Sequence, residues 1–114
     1  MKILLPITVP SDNVLWQGRR FKTKRYKDFT DEALWLLQGK GSIDSKCLEV
    51  HIVYYWHNWM LRDVSNAQKS LLDILAKAGT IVDDRYIMKL SVEKRKQPKD
   101  LPEKVELDIN ELTL

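Results

Sequence analysis

Lys46-Cys47-Leu48-Glu49-Val50-His51-Ile52-Val53-Tyr54-Tyr55-Trp56 alternates residue by residue. Leu48, Val50, Ile52 and Tyr54 fall on one face of an extended chain, and Cys47, Glu49, His51, Val53 and Tyr55 on the other. The first set is apolar or aromatic throughout, so the spacing predicts a strand over 46–56, buried against helices on at least one side.

Two stretches with helical periodicity supply that cover. Tyr26, Phe29, Ala33, Leu36 and Leu37 recur at three- and four-residue steps, with Thr23 as the expected N-cap and Gly39-Lys40-Gly41 as the stop. A second helix is predicted from about Ser65 to Ala78. Val64, Ala67, Leu71, Ile74, Leu75 and Ala78 form its apolar stripe, and Asn66, Ser70, Asp73 and Lys77 lie opposite. Ser65 followed by Gln68 has the spacing of a capping box, and Gly79 ends the helix. Residues 2–9 read as an opening strand, ended by the turn cluster Pro10-Ser11-Asp12-Asn13, with a basic loop over 14–22. Tyr86, Met88, Leu90 and Val92 alternate in a third strand and Val105, Leu107 and Ile109 in a fourth. The basic, proline-containing loop 94–102 is expected to join these two as a long hairpin. The order strand-helix-strand-helix-strand-strand predicts an α+β two-layer sandwich. In it, a mixed four-stranded sheet carries two helices on one face, in a single domain over 1–114.

A chain of 114 residues buries roughly 65% of its unfolded surface, enough for one core. Its 44% hydrophobic and 31% charged content argues against disorder. The lone Cys47 excludes an intrachain disulfide and fits a reducing, cytoplasmic setting, with the thiol packed rather than reactive. The apolar start is short, is broken by Pro6 and has no cleavage site after it, and no apolar run nears the roughly 20 residues of a membrane helix. A soluble protein with no membrane partner is expected.

The net charge is only +3, but it is unevenly spread. Arg19, Arg20, Lys22, Lys24, Arg25 and Lys27 are six cations within nine residues, and Lys94, Arg95, Lys96 and Lys99 form a second cluster. Acids gather at Asp28 to Glu32, at Asp83-Asp84 and in the last strand. Such alternation suits a protein that grips phosphates at chosen places; solvated loops and helix faces account for either cluster alone.

Between the clusters lies Arg62-Asp63-Val64-Ser65-Asn66-Ala67-Gln68-Lys69, and Asp83-Asp84 follows the second helix. Asp63, Asp83 and Asp84 supply oxygen donors of the kind that Mg²⁺ or Mn²⁺ prefers. Such an ion activates water against a phosphodiester, and Lys69 lies one turn into the helix, where it can stabilise developing charge. The predicted helix is about 20 Å long, so Asp63 and Asp84 meet only if residues 79–84 double back. On residue types alone the structural account stays open: Asp63 as a helix cap, Asp83-Asp84 as turn residues, Lys69 paired with Asp73. His51 and His57 are weak ligand candidates. Trp56 and Trp59 suit either base stacking or a packed core or interface, and Trp16 and Trp35 read as packing residues.

Taken together, Asp63-Val64-Ser65-Asn66-Ala67-Gln68-Lys69, Asp73-Ile74-Leu75, Lys77-Ala78-Gly79, Asp83-Asp84 and Glu106-Leu107 resemble the core pattern of the RusA family of Holliday-junction resolvases. These are small endonucleases of bacteria and their phages. The resemblance implies a Mg²⁺-dependent homodimer, without organic cofactor, that cuts paired strands across a branched four-way DNA junction in recombination and repair. It implies that Asp63 and Asp84 bind the metal with Asp83 beside them, that Lys69 is the catalytic lysine and that Arg62 contacts DNA. Asn66, Arg19, Arg20, Lys22, Lys24, Lys94, Arg95 and Lys96 are the further expected DNA contacts.

One position departs from the pattern. Ser65 stands where the family has a second motif aspartate, and a hydroxyl as metal ligand neutralises none of the cation's charge. The expectation is an active but weakened endonuclease, with a junction-binding protein that does not cut as the alternative. The loop before Arg62 also differs: where the family tends to be basic, this chain has Trp56, His57, Trp59 and Met60.

Overall fold

The computed structural model describes residues 1–10, 16–17, 21–22 and 24–113, and at 16, 17, 21, 22 and 66 the backbone alone. The elements run β1 (Lys2–Leu5), β2 (Trp16–Gln17), β3 (Phe21–Lys22), α1 (Lys24–Leu37), β4 (Leu48–Trp56), α2 (Gln68–Lys77), β5 (Ile87–Lys96) and β6 (Lys104–Glu111). Short 3₁₀ turns at Trp59–Leu61, Val64–Asn66 and Asp84–Tyr86 join them. The main sheet has the order β1-β6-β4-β5, while β2 and β3 form a separate two-stranded ladder. The predicted α+β layering, with a mixed sheet and both helices on one face, is the one observed.

The strand over 48–56 owes its place to its alternation. Leu48, Val50, Ile52, Tyr54 and Trp56 are each at most 1% exposed. Burying one such side chain contributes roughly 1.5–3 kcal/mol. Ile3 and Leu5 of β1 and Val105, Leu107 and Ile109 of β6 join the same cluster, as do Tyr26, Phe29, Ala33 and Leu37 of α1 and Leu71, Ile74 and Leu75 of α2. The other face of the sheet carries His51, Ser91, Glu93, Arg95, Tyr55 and Glu106, linked by polar side-chain contacts.

The expected hairpin is not there. β5 pairs with β4 in parallel, and β6 pairs with β4 antiparallel, so the central strand separates them. A strand buried this thoroughly needs a hydrogen-bonded partner along each edge, and β5 and β6 supply one each. Their connection therefore crosses the end of β4. The Gln97 amide donates to the Trp56 carbonyl (3.0 Å) and the His57 amide to Glu103 (2.7 Å). Residues 94–96 belong to β5 rather than to a loop.

Other boundaries also move. The first strand stops at Leu5 rather than at residue 9, and the basic loop contains the β2–β3 ladder. Thr23 lies outside the described residues. Ser70, expected to face solvent, is fully buried beside Leu71, because a position three residues from Ala67 lies on the edge of the apolar stripe. Trp35, expected to pack, is 71% exposed: two residues past Ala33, it points roughly opposite to the buried face. Gly79, at φ +77°, lets the chain leave α2 in the left-handed conformation, and the Thr80 amide then donates to Leu75 (3.0 Å). Ile43 and Ile81 form a parallel bridge that fixes the returning segment.

Candidate functional site

The segment 56–66 leaves the end of the central strand and is pinned there by its own side chains. Trp56 is core, stacked on Tyr54 at 4.6 Å between ring centroids and 3° between planes. Its indole N–H donates to the Val9 carbonyl (3.2 Å). Burial removes Trp56 as a base-stacking surface, and Trp59 is half-buried against the same core. The Arg62 guanidinium lies 4.6 Å over the Trp56 ring and donates to Val9 as well (2.8 Å). From the neighbouring strand, Lys94 Nζ donates to the Arg62 carbonyl (2.7 Å).

Asp63 follows with extended backbone. Its carboxylate accepts from both the Ser65 hydroxyl (2.7 Å) and the Ser65 amide (3.0 Å), capping the Val64–Asn66 turn. Those two bonds, the hydroxyl first, hold Asp63 below the ordinary carboxylate range, and Lys94 acts in the same direction. Ser65 is thus no helix N-cap. The α-helix begins only at Gln68, behind Ala67, and no capping box closes, because Asp63 already engages the Ser65 amide. Gln68 Oε1 is buried with no hydrogen-bond partner among the described residues.

The second acidic group forms at the far side of the fold-back. Asp83 accepts from the Arg85 amide (3.0 Å) and caps the Asp84–Tyr86 turn, and this bond lowers its carboxyl. Asp84 moves the opposite way. Its hydrogen bond to Asp83 is the main cause, followed by burial and by the negative charge of Asp73, which also lies within hydrogen-bonding reach. Two adjacent carboxylates facing a third favour a shared proton, one value falling as the other rises.

Residues 79–84 do double back, but they bring Asp84 to Asp73 in the middle of α2. That point lies five residues past Gln68, about 7.5 Å along the axis. Among the described residues, no three acidic, imidazole or thiol side chains converge closely enough to hold one ion. Asp73 is the neighbour of Asp84 that sequence reasoning missed: its position opposite the apolar stripe read as solvent-facing. The available signal was its place in the Asp73-Ile74-Leu75 step.

The other candidates divide. Lys69 is exposed on the first turn of α2, and Lys24 is exposed at the start of α1. Arg19 and Arg20 lie outside the described residues, and the side chains of Lys22 and Asn66 are not among those described. Lys94 reaches Arg62 and so borders the Asp63 turn, and the exposed Lys96 shares its side of β5. Arg95 is separated from them. Strand alternation turns it to the open face of the sheet, where it bonds Glu93 (3.0 Å) and Tyr55 (3.4 Å). The expected basic cluster over 94–96 is therefore split between two faces. Both histidines are engaged structurally: His51 with Ser91 and Glu93, His57 with the Leu101 carbonyl (2.6 Å).

A family profile described as "Endodeoxyribonuclease RusA" matches residues 9–110, a span that includes both acidic turns and the lysine between them. The chain belongs to the RusA family. This RusA-family chain is 34% identical over 80 residues to the "Crossover junction endodeoxyribonuclease RusA" of Aquifex aeolicus (strain VF5). The match covers 68% of this chain and spans 64% of that relative's length. No helix among the described residues is long and apolar enough to cross a membrane.

Proposed function

We propose that this chain is a divalent-cation-dependent, structure-selective endodeoxyribonuclease that resolves four-way DNA junctions as a homodimer, one domain serving each cut. The family match across both acidic turns carries the reading. A two-fold dimer suits a substrate with two equivalent cleavage sites. The free Cys47 agrees with a reducing cytoplasm, and the Aquifex relative's name with a role in recombination or repair.

In donor chemistry, Asp63, Asp84, Asp83 and Ser65 fit Mg²⁺, with Mn²⁺ the alternative. All are oxygen donors, and Asp84 bears a repulsion that a cation relieves. When bound, such a cation supplies a nucleophilic water and charge neutralisation at phosphorus. The remaining work falls to the chain's own groups. Arg62, steadied by Trp56 and Val9, presents its remaining N–H donors to phosphate. Lys94 and Lys96, together with Lys24, Asn66 and the run Arg19, Arg20 and Lys22, set the backbone register. Lys69, exposed on the first turn of α2, stabilises charge as the ester bond breaks.

A second reading, junction binding with weak or no cleavage, draws on two observations. The Ser65 hydroxyl is spent on Asp63, and no three-donor cluster forms among the described residues. One assay separates the two: cleavage of a synthetic four-way junction and of linear duplex, with and without Mg²⁺ or Mn²⁺. Cation-dependent cutting of the junction alone, abolished by Asp84→Asn while binding persists, supports the nuclease. Tight junction binding without cutting under any cation supports the second reading, and full cleavage by Asp84→Asn removes Asp84 from the site.

A further inference from the structure

Immediately before Arg62, two large apolar side chains stand out of the surface. Met60 is 70% exposed and Leu61 87% exposed. They sit on the 3₁₀ turn Trp59–Leu61, whose foundation is fixed. The Leu61 amide donates to Asn58 (3.0 Å), Trp59 packs on the core, and Arg62 is anchored on Trp56 and Val9. A firm base under two solvent-facing apolar tips has no purpose in the core. It presents the pair outward, two residues from Asp63.

The surroundings decide what it meets. Arg62 adjoins the turn in sequence, Lys94 is bonded to the Arg62 carbonyl, and the exposed Lys96 lies on the same side of β5. Apolar tips on a turn that leads into Arg62, with Lys94 bonded to that residue's carbonyl, match a surface whose interior is stacked base and whose border is phosphate. Apolar side chains such as Leu and Met enter DNA between base steps, and they do so at least cost where stacking is already interrupted. The other exposed apolar residues, among them Trp35, Val82 and Met88, belong to other segments of the chain.

We propose that Met60 and Leu61 form a wedge that enters the DNA branch point between unstacked bases, selecting junctions over linear duplex and placing the nearest phosphate against the Asp63 turn. The proposal rests on the junction-directed reading above and assigns branch selectivity to a definite pair of side chains.

The test uses the full chain without divalent cation, so that no strand is cut. Its DNA is a four-way junction carrying 2-aminopurine beside the branch, with a linear duplex of the same sequence as control. Wild type raises 2-aminopurine emission on the junction and leaves it unchanged on the duplex. The double variant Met60→Ser with Leu61→Ser loses that rise, and its preference for junction over duplex falls about tenfold, the order expected for one lost base-stacking contact. Met60→Leu with Leu61→Met restores both. Both positions are on the surface, so an unchanged melting temperature confirms folding of the variants.

Silent emission from wild type on a junction that it binds overturns the wedge and leaves the nuclease reading standing. Emission from the serine variant equal to wild type also overturns it. A fall to half the sedimenting mass in the serine variant, with emission retained, assigns the pair to a protein contact instead. If wild type binds no junction at all, both readings fall together.

Discussion

The contact between Trp56 and Arg62 connects the core to the candidate site, and its worth can be estimated. Trp56→Phe removes the indole N–H that donates to Val9. Because Val9 keeps the Arg62 donor at 2.8 Å, no acceptor is orphaned, and the loss stays near ~1 kcal/mol. Removing one ring of a buried indole leaves a cavity, which at ~24 cal/mol per Å³ contributes about another 1 kcal/mol. A weaker cation–π contact adds roughly 0.5 kcal/mol. The total, ~2–3 kcal/mol, is a large part of the ~5–15 kcal/mol available to a small domain. It corresponds to a fall in Tm of about 10 °C. Calorimetry on wild type, Trp56→Phe, Arg62→Met and the double variant measures both the loss and the coupling. The double variant should exceed additivity by ~0.5–2 kcal/mol: the buried Val9 carbonyl keeps one donor in either single variant and loses both in the double, which outweighs the shared ring–guanidinium contact. Additivity within ~0.3 kcal/mol, or a Trp56→Phe loss below ~1 kcal/mol, would refute the claim that the core holds Arg62 in place.

Four further outcomes follow from the site. Asp84→Asn should raise the melting temperature at neutral pH, by no more than ~5 °C given the ~1 kcal/mol ceiling for exposed charges. Asp84 is raised in the fold, so its penalty is full above that raised value and disappears as pH falls through it. Melts from pH 3 to 8 should therefore show the advantage of Asn shrinking toward acid; a constant or growing gap would contradict the Asp73–Asp83–Asp84 assignment. Glu93 is depressed, by Arg95 first and then His51, so its contribution is present above the ordinary carboxylate value and lost as pH falls through the folded one. Glu93→Gln should accordingly flatten the acid limb of the stability curve, measured by urea titration. Ser65→Asp should enlarge the Mg²⁺-induced rise in melting temperature and speed junction cleavage; no change in either would show that no cation binds at that turn. Lys94→Ala should reduce the salt dependence of junction affinity by about one unit of slope, whereas Arg95→Ala, facing the open side of the sheet, should leave it alone.

Much of this arrangement could be read from residue order. The alternation of Leu48 to Trp56 and the helical spacing of Tyr26 to Leu37 and Ala67 to Leu75 dictate which faces are apolar, and an apolar face has few ways to leave water. The Arg62–Lys69 and Asp83–Asp84 stretches identify the family because side-chain chemistry and spacing are written directly in the chain. Strand neighbours are not written there. That β5 and β6 flank β4 instead of pairing with each other follows from the hydrogen-bonding demand of a buried central strand, which is a property of the whole sheet.

Tertiary structure alone decided the contacts among acids. Periodicity placed Asp73 opposite the apolar stripe, but only the return of the chain past Gly79 sets Asp84 against it. The capping box at Ser65, by contrast, was lost to a local competitor: Asp63, two residues earlier, aims a charged acceptor at the same amide. Local rules assign each residue a preference from its sequence neighbours, while partners distant in sequence come from segments the fold brings near.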